Sequence, residues 1–257
     1  MNMAIPAAVW LGLTVILAQP AIAPPAAIKV LTTRAIATVL DETGAEFERA
    51  AGHKLDVTSD VAIRMVRRIR AGEPFDVLVA SPEQINALIE EGKVIAETRT
   101  TLARSGIGVE VRAGAPKPDI SSVEAFKRTL LGAKSIAYLK EGQSGIYLDA
   151  LIKRLGLTEA LESKVVRPES DTVSELVAKG EVELGLVVVT QILTTRGVEL
   201  VGPLPPELQS YVVFAAGVST NSRAPAAAKE LIKFLTGPRA TAVMRSQGMQ
   251  PWSDVSR

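Results

Sequence analysis

The residues best suited to chemistry lie between Lys140 and Leu148, in the order Lys-Glu-Gly-Gln-Ser-Gly-Ile-Tyr-Leu. An apolar run with strand character, Ser135 to Leu139, precedes this turn, and a run with helical spacing, Ile146 to Leu155, follows it. A strand that ends in glycines and opens a helix leaves several backbone N–H groups without partners. Glycine lets a ligand approach closely, and the N–H groups together with the helix dipole favour negative charge. Ser144 adds a hydroxyl that can cap the helix or bind a ligand. Ser144, Gly145, Ile146 and Tyr147 therefore form the candidate half of an anion-binding cleft.

The other half is expected from similar turns elsewhere. Thr32-Thr33-Arg34, Thr58-Ser59-Asp60, Ala80-Ser81 and Ser170-Asp171-Thr172 each follow an extended run and open a helix. Thr32, Thr33, Arg34, Thr58, Ser59, Arg64 and Thr172 are the candidate ligand contacts there, although each hydroxyl also reads as a plain helix cap. Hydroxyls and free N–H groups suit an oxyanion or a carboxylate, because they donate hydrogen bonds without bringing a competing negative charge. Arginine matches a carboxylate with two parallel hydrogen bonds. Arg64 opens a basic run with Arg67, Arg68 and Arg70 that also reads as a solvated helix face.

Composition removes several alternatives. The 257-residue chain has no cysteine and one histidine, His53, so disulfides, thiolate metal sites and most histidine-based catalysis are excluded. No carboxylate cluster has metal-binding spacing, and neither a metal nor a cofactor is expected. A net charge of +1 argues against nucleic acid, and 4% aromatic residues leave little for base stacking. His53 reads as a surface-loop histidine. Asp60 and Tyr147 are better placed as bases, but no catalytic residue is assigned.

The elements that position these turns are three strand-then-helix units followed by a second series. The first strands are Ile28 to Thr32, Leu55 to Thr58 and Asp76 to Ala80, each followed by a helical pattern. Such a succession argues for a parallel sheet with right-handed crossovers. The pattern changes at Ser105 to Val111, a strand without a following helix. A helix at Val123 to Leu131, strands at Ser135 to Leu139 and Lys164 to Arg167, a helix at Val173 to Lys179 and a strand at Leu184 to Val189 come next. Helices at Pro225 to Leu235 and Pro238 to Ser246 close the chain. The reading is α/β with two lobes, and ligands in such folds sit beyond the carboxyl ends of the strands. At the N-terminus, Ala7 to Ala18 is an apolar run shorter than the ~20 residues of a membrane span. Residues 1–23 are accordingly expected to be a signal peptide, cleaved near residues 21–27.

The order of segments resembles periplasmic substrate-binding proteins of the molybdate-binding type, the type II binding proteins of ABC transporters. The resemblance rests on Lys29-Val30-Leu31, Ala45 to Glu48, Arg70 to Ala80, Gly106 to Val109, Lys179 to Leu186 and Pro225 to Met249. It implies two lobes, 24–104 with 205–257 and 105–204, each a mainly parallel sheet flanked by helices. Crossing segments near Ser105 to Val109 and Leu200 to Tyr211 would hinge them. It also implies a monomer that captures a small anionic ligand in the periplasm and delivers it to a membrane permease. The family's Ala-Ala-Ser-Leu turn is here Thr33-Arg34-Ala35-Ile36, and Val188 stands in place of a pocket tyrosine. Arg34 and Arg64 therefore favour an organic di- or tricarboxylate over molybdate. The Ser144 to Tyr147 turn also resembles aconitate isomerases, which leaves isomerisation of a tricarboxylate as the alternative, with oxyanion binding as the third.

Overall fold

The computed structural model describes residues 27–255, so the expected signal peptide lies outside the described residues. Alternation along the first strands decides the layers. Strand β1 (Ala27–Thr32) sends Ile28 and Val30 to one apolar core and Leu31 to another, and both cores are fully shielded from water there. Helix α1 (Arg34–Ala51) covers one face with Ile36, Val39, Leu40 and Phe47, and Gly52, at φ 71°, ends it by returning its N–H to Glu48. Strand β2 (Lys54–Ser59) pairs parallel with β1. Helix α2 (Ala62–Arg70) covers the opposite face with Met65, Val66 and Ile69. Strand β3 (Val77–Ala80) is buried on both faces, as expected between neighbours, and pairs parallel with β1. Helix α3 (Pro82–Glu90) starts in a capping box in which Ser81 and Gln84 exchange hydrogen bonds.

Strand β4 (Thr100–Arg112) is long enough to serve both halves of the molecule. In the second half, α4 (Val123–Gly132), β5 (Ile136–Ala137), α5 (Gln143–Arg154), α6 (Thr158–Leu161), β6 (Val165–Val166), α7 (Val173–Lys179), β7 (Leu184–Val188), α8 (Val189–Thr194) and β8 (Val198–Pro203) follow. The chain returns through β9 (Tyr211–Val218) and closes with α9 (Pro225–Leu235), α10 (Pro238–Ser246), β10 (Gln250–Pro251) and α11 (Trp252–Val255). The strand order is β2-β1-β3-β9-β4-β7-β5-β6. Each half keeps parallel pairs, β1 with β2 and β3, and β5 with β6 and β7; β9, β4 and β8 join antiparallel.

Apolar packing separates where the chain crosses. One pair of cores draws on Ile28 to Ala103 and Phe214 to Met249, and the other pair on Ile107 to Leu208. Gln209 pins this crossing, accepting from the Ile107 N–H at 2.9 Å and donating to its carbonyl at 3.0 Å. Helix α5 begins at Gln143, ahead of the Ile146 start that its apolar spacing suggests. Strand β7 ends at Val188, and α8 begins at Val189, where the apolar run suggests strand. His53 is 8% exposed and faces Glu230 at 3.8 Å, so it is not a surface-loop residue.

Asp76 ties the first half together. Its carboxylate accepts from the Lys29 N–H at 2.8 Å, the Ser222 hydroxyl at 2.5 Å and the Arg223 N–H at 3.1 Å. Replacing it with alanine leaves these three part-buried donors without their shared acceptor. Asp76→Ala is expected to cost about 3 kcal/mol, a fall of roughly 6–12 °C in Tm for a chain of this size. A thermal melt that moves by less than a degree would contradict this role.

Candidate functional site

A cleft lies where the helix starts of both halves meet. The first half contributes Thr33 and Arg34 at the start of α1, Asp60 to Ala62 at α2, and Ser81 and Gln84 at α3. The second half contributes Leu139, Gly142, Gln143 and Ser144 at the start of α5, with Asp171, Val188 and Gln191. The cavity volume is ≈ 100 Å³, several times the ~10–15 Å³ that one water needs. That is room for a small solute. Four helix N-termini converge on it, and each carries partial positive charge.

Local chemistry explains each start. Gly142 is the N-cap of α5 at φ 104°, a conformation few other residues adopt, and its carbonyl accepts from the Ile146 N–H. Ser144 therefore sits inside the first helical turn and does not cap it. Gly145 is required for contact: an added Cβ would lie 1.9 Å from the Leu139 carbonyl oxygen. Thr33 is the N-cap of α1 but forms no side-chain cap, and its buried hydroxyl has no partner.

The electrostatics differ from the expected set of uncharged donors. Arg34 donates to the Asp171 carbonyl at 3.0 Å and pairs with Glu175 at 2.5 Å, bridging the two halves. Asp60 and Asp171 bring carboxylates to the cleft wall. Asp60 is compensated by Arg64 at 3.3 Å and Arg68 at 3.5 Å. Burial pushes the Asp171 carboxyl up, against the pull of Arg34 and a weaker pull from Gln191. Behind this wall Glu110 is fully buried. Burial pushes it up to about 7, opposed by a 3.0 Å hydrogen bond from Ser174.

Of the residues singled out in the sequence, Thr33, Arg34, Asp60 and Ser144 line the cleft, with Ser81 and Asp171 from the other named turns. The other candidate ligand contacts lie outside its lining. Thr32 is buried and leans on the Thr33 carbonyl at 3.4 Å. Thr58 and Ser59 lie along β2. Arg64 is turned to Asp60 and the Glu169 carbonyl. Gly145 packs under Leu139, and Ile146 is 67% exposed. The Tyr147 hydroxyl donates to the Leu208 carbonyl at 2.7 Å, a tie within the second half. Thr172 bonds the Ser170 carbonyl. Gln84, Gln143 and Gln191 were not foreseen. Gln84 carried a visible signal in its capping-box spacing after Ser81, whereas Gln191 lies on a helix that the β-branched run before it concealed.

Comparison with known proteins identifies the family and the fold. Residues 28–250 match the profile of the bacterial extracellular solute-binding protein family. The chain is 30% identical over 249 residues to an aconitate isomerase of a Pseudomonas species, covering 94% of this chain and 95% of that one. It is 28% identical over 233 residues to a molybdate-binding protein of Azotobacter vinelandii, covering 88% and 90%. The solved structure of the Azotobacter vinelandii periplasmic molybdate-binding protein superposes with a TM-score of 0.73 at 21% identity, over 86% of this chain and 98% of that one. Among the described residues no helix is long and apolar enough to cross a membrane.

Two outcomes are expected from the geometry. Gly145→Ala should cost about 2 kcal/mol through overpacking, lowering Tm by roughly 4–8 °C; an unchanged melt would mean the turn has slack. Glu110 predicts a pH dependence. Well below pH 4.5 its carboxyl is protonated both folded and unfolded, and it contributes nothing. As pH rises from 4.5 to about 7, the unfolded chain releases a proton that the folded one keeps, so stability falls; above 7 the loss is constant. Relative to Glu110→Gln, the natural chain should lose about 3 kcal/mol between pH 4.5 and 8. Parallel pH profiles from denaturant unfolding of the two proteins would contradict it.

Proposed function

This chain belongs to the bacterial extracellular solute-binding proteins, and from that premise we propose that it captures a small organic di- or tricarboxylate in the interlobe cleft for a membrane permease of an ABC importer. Arg34 is the observation that carries the reading. It stands at a helix start, beside an unpartnered buried Thr33 hydroxyl, and faces three further helix N-termini. An arginine fork is matched to a carboxylate. Lobes of 24–104 with 205–257 and 105–204 would close about the crossings next to Gln209, in a monomer. The relatives named as periplasmic binding proteins support export to the periplasm, with residues 1–23 removed as a signal peptide.

A second reading, isomerisation of a tricarboxylate, is favoured by the aconitate isomerase relative and by one cleft feature. Moving a double bond along such a molecule needs a group that takes a proton from one carbon while another carbon is protonated. Asp171, with its raised carboxyl, is the cleft residue suited to that exchange. Oxyanion binding is the third reading, supported by the molybdate-binding relatives.

A thermal-shift screen separates these readings. A di- or tricarboxylate at a hundred times its Kd should add about 2.7 kcal/mol, or roughly 5–11 °C. Arg34→Ala should weaken that ligand at least about thirtyfold, given a cost of 2 kcal/mol or more for truncating a buried charge partner. Stronger stabilisation by molybdate, tungstate or sulfate would replace the carboxylate reading with the oxyanion one. Interconversion of cis- and trans-aconitate, followed by absorbance at high protein concentration, would establish the enzyme reading; no turnover leaves binding.

A further inference from the structure

We propose that Asp171 and Gln191 form a proton-sharing subsite that takes one carboxyl group of an organic acid and turns away a proton-free tetrahedral oxyanion. The inference rests on the reading of the cleft as an organic-acid site and names what selects the acid.

Gln191 supplies the first observation. It lines the cleft and is 6% exposed, and its amide Nε2 has no acceptor within 3.5 Å, its pull on the nearby Asp171 carboxylate being weak. A buried N–H donor without an acceptor costs about 1–3 kcal/mol, and native structures seldom leave one so. An acceptor entering the cleft relieves it. The charges facing Asp171 supply the second. Arg34 on α1 and Gln191 on α8 hold its charge, while Glu175 on α7 and Asp60 before α2 oppose it. Glu110 on β4 feels Asp171 and Glu175 in turn. Asp60 is held by Arg64 and Arg68, which leaves Asp171, Glu175 and Glu110 to Arg34, and Arg34 already pairs with Glu175.

A bare oxyanion placed here would meet the Asp171 carboxylate with nothing between them. Two like charges in contact inside a partly buried cleft repel far more strongly than they do in water. A carboxyl group changes the balance. With one proton between its oxygen and that of Asp171, the two groups carry a single negative charge, and the ligand C=O accepts from Gln191 Nε2. The upward push of burial on Asp171 favours keeping that proton. A second carboxylate of the same molecule is left for Arg34, Thr33 and the helix starts. The ligand class is thus an acid with two or more carboxyl groups, one of them bound in its protonated or proton-sharing form.

Titration calorimetry of the natural chain with citrate and with cis-aconitate, in buffers of differing ionisation enthalpy from pH 5.5 to 8.5, tests this without a variant. The expected result is uptake of close to one proton per ligand at pH 8, with affinity falling about tenfold per pH unit in that range. Glu110→Gln should keep the uptake; its loss there would assign the proton to Glu110 and overturn the proposal. Asp171→Asn should bind the acid with no proton uptake and gain at least tenfold in relative affinity for molybdate. Gln191→Leu should weaken the acid about tenfold at every pH. Acid binding by the natural chain without proton uptake overturns this inference and leaves the functional reading standing. Failure of every organic acid and oxyanion to bind at any pH overturns both.

Discussion

Arg34 ties the two halves together across the cleft, reaching from the first turn of α1 to the Asp171 carbonyl and the Glu175 carboxylate. The remaining bridges are at the rim. Arg67 grips Glu141 with two hydrogen bonds at 3.1 and 3.2 Å, Arg64 reaches the Glu169 carbonyl, and Gln143 approaches Glu83 at 3.5 Å. Arg67 is 61% exposed, and exposed pairs of this kind contribute about 0–1 kcal/mol each. These charged ties between the halves are therefore weak. On the proposed reading, a solute that binds a closed form better than an open one would shift the balance.

The backbone reaches the same end by another route. Parallel strands in each half deliver helix starts to one side of the sheet, and the two halves face those starts toward each other. The result is a cavity with partial positive charge on its walls and real negative charge at Asp60 and Asp171. This mixture distinguishes it from a site built of neutral donors. On the proposed reading, a polybasic acid, which both accepts and shares protons, would match it.

Much of this architecture was legible in the chain. The α9 and α10 boundaries follow from Pro225 and Pro238 at their first positions, because proline is pre-set for a helix start. The three opening βα units were visible in their alternating periods. The site was less so. Gly142 and Gly145 looked like one flexible turn, yet one sets a left-handed N-cap and the other makes room for a carbonyl. Val187-Val188-Val189 reads as strand by composition, and tertiary packing turns it into α8 at Val189, which is how Gln191 reaches the cleft. Hydroxyls near helix starts could not be sorted into caps and contacts, since that depends on which way the side chain turns.

A crystal structure of the mature chain grown with a saturating tricarboxylate tests the central claim most directly. The account predicts density for one molecule between the halves, with one carboxylate on Arg34 and Thr33, another on Asp171 and Gln191, and the Ser144 turn closing over it. A closed cleft without the acid, or the acid bound away from Arg34, would contradict it.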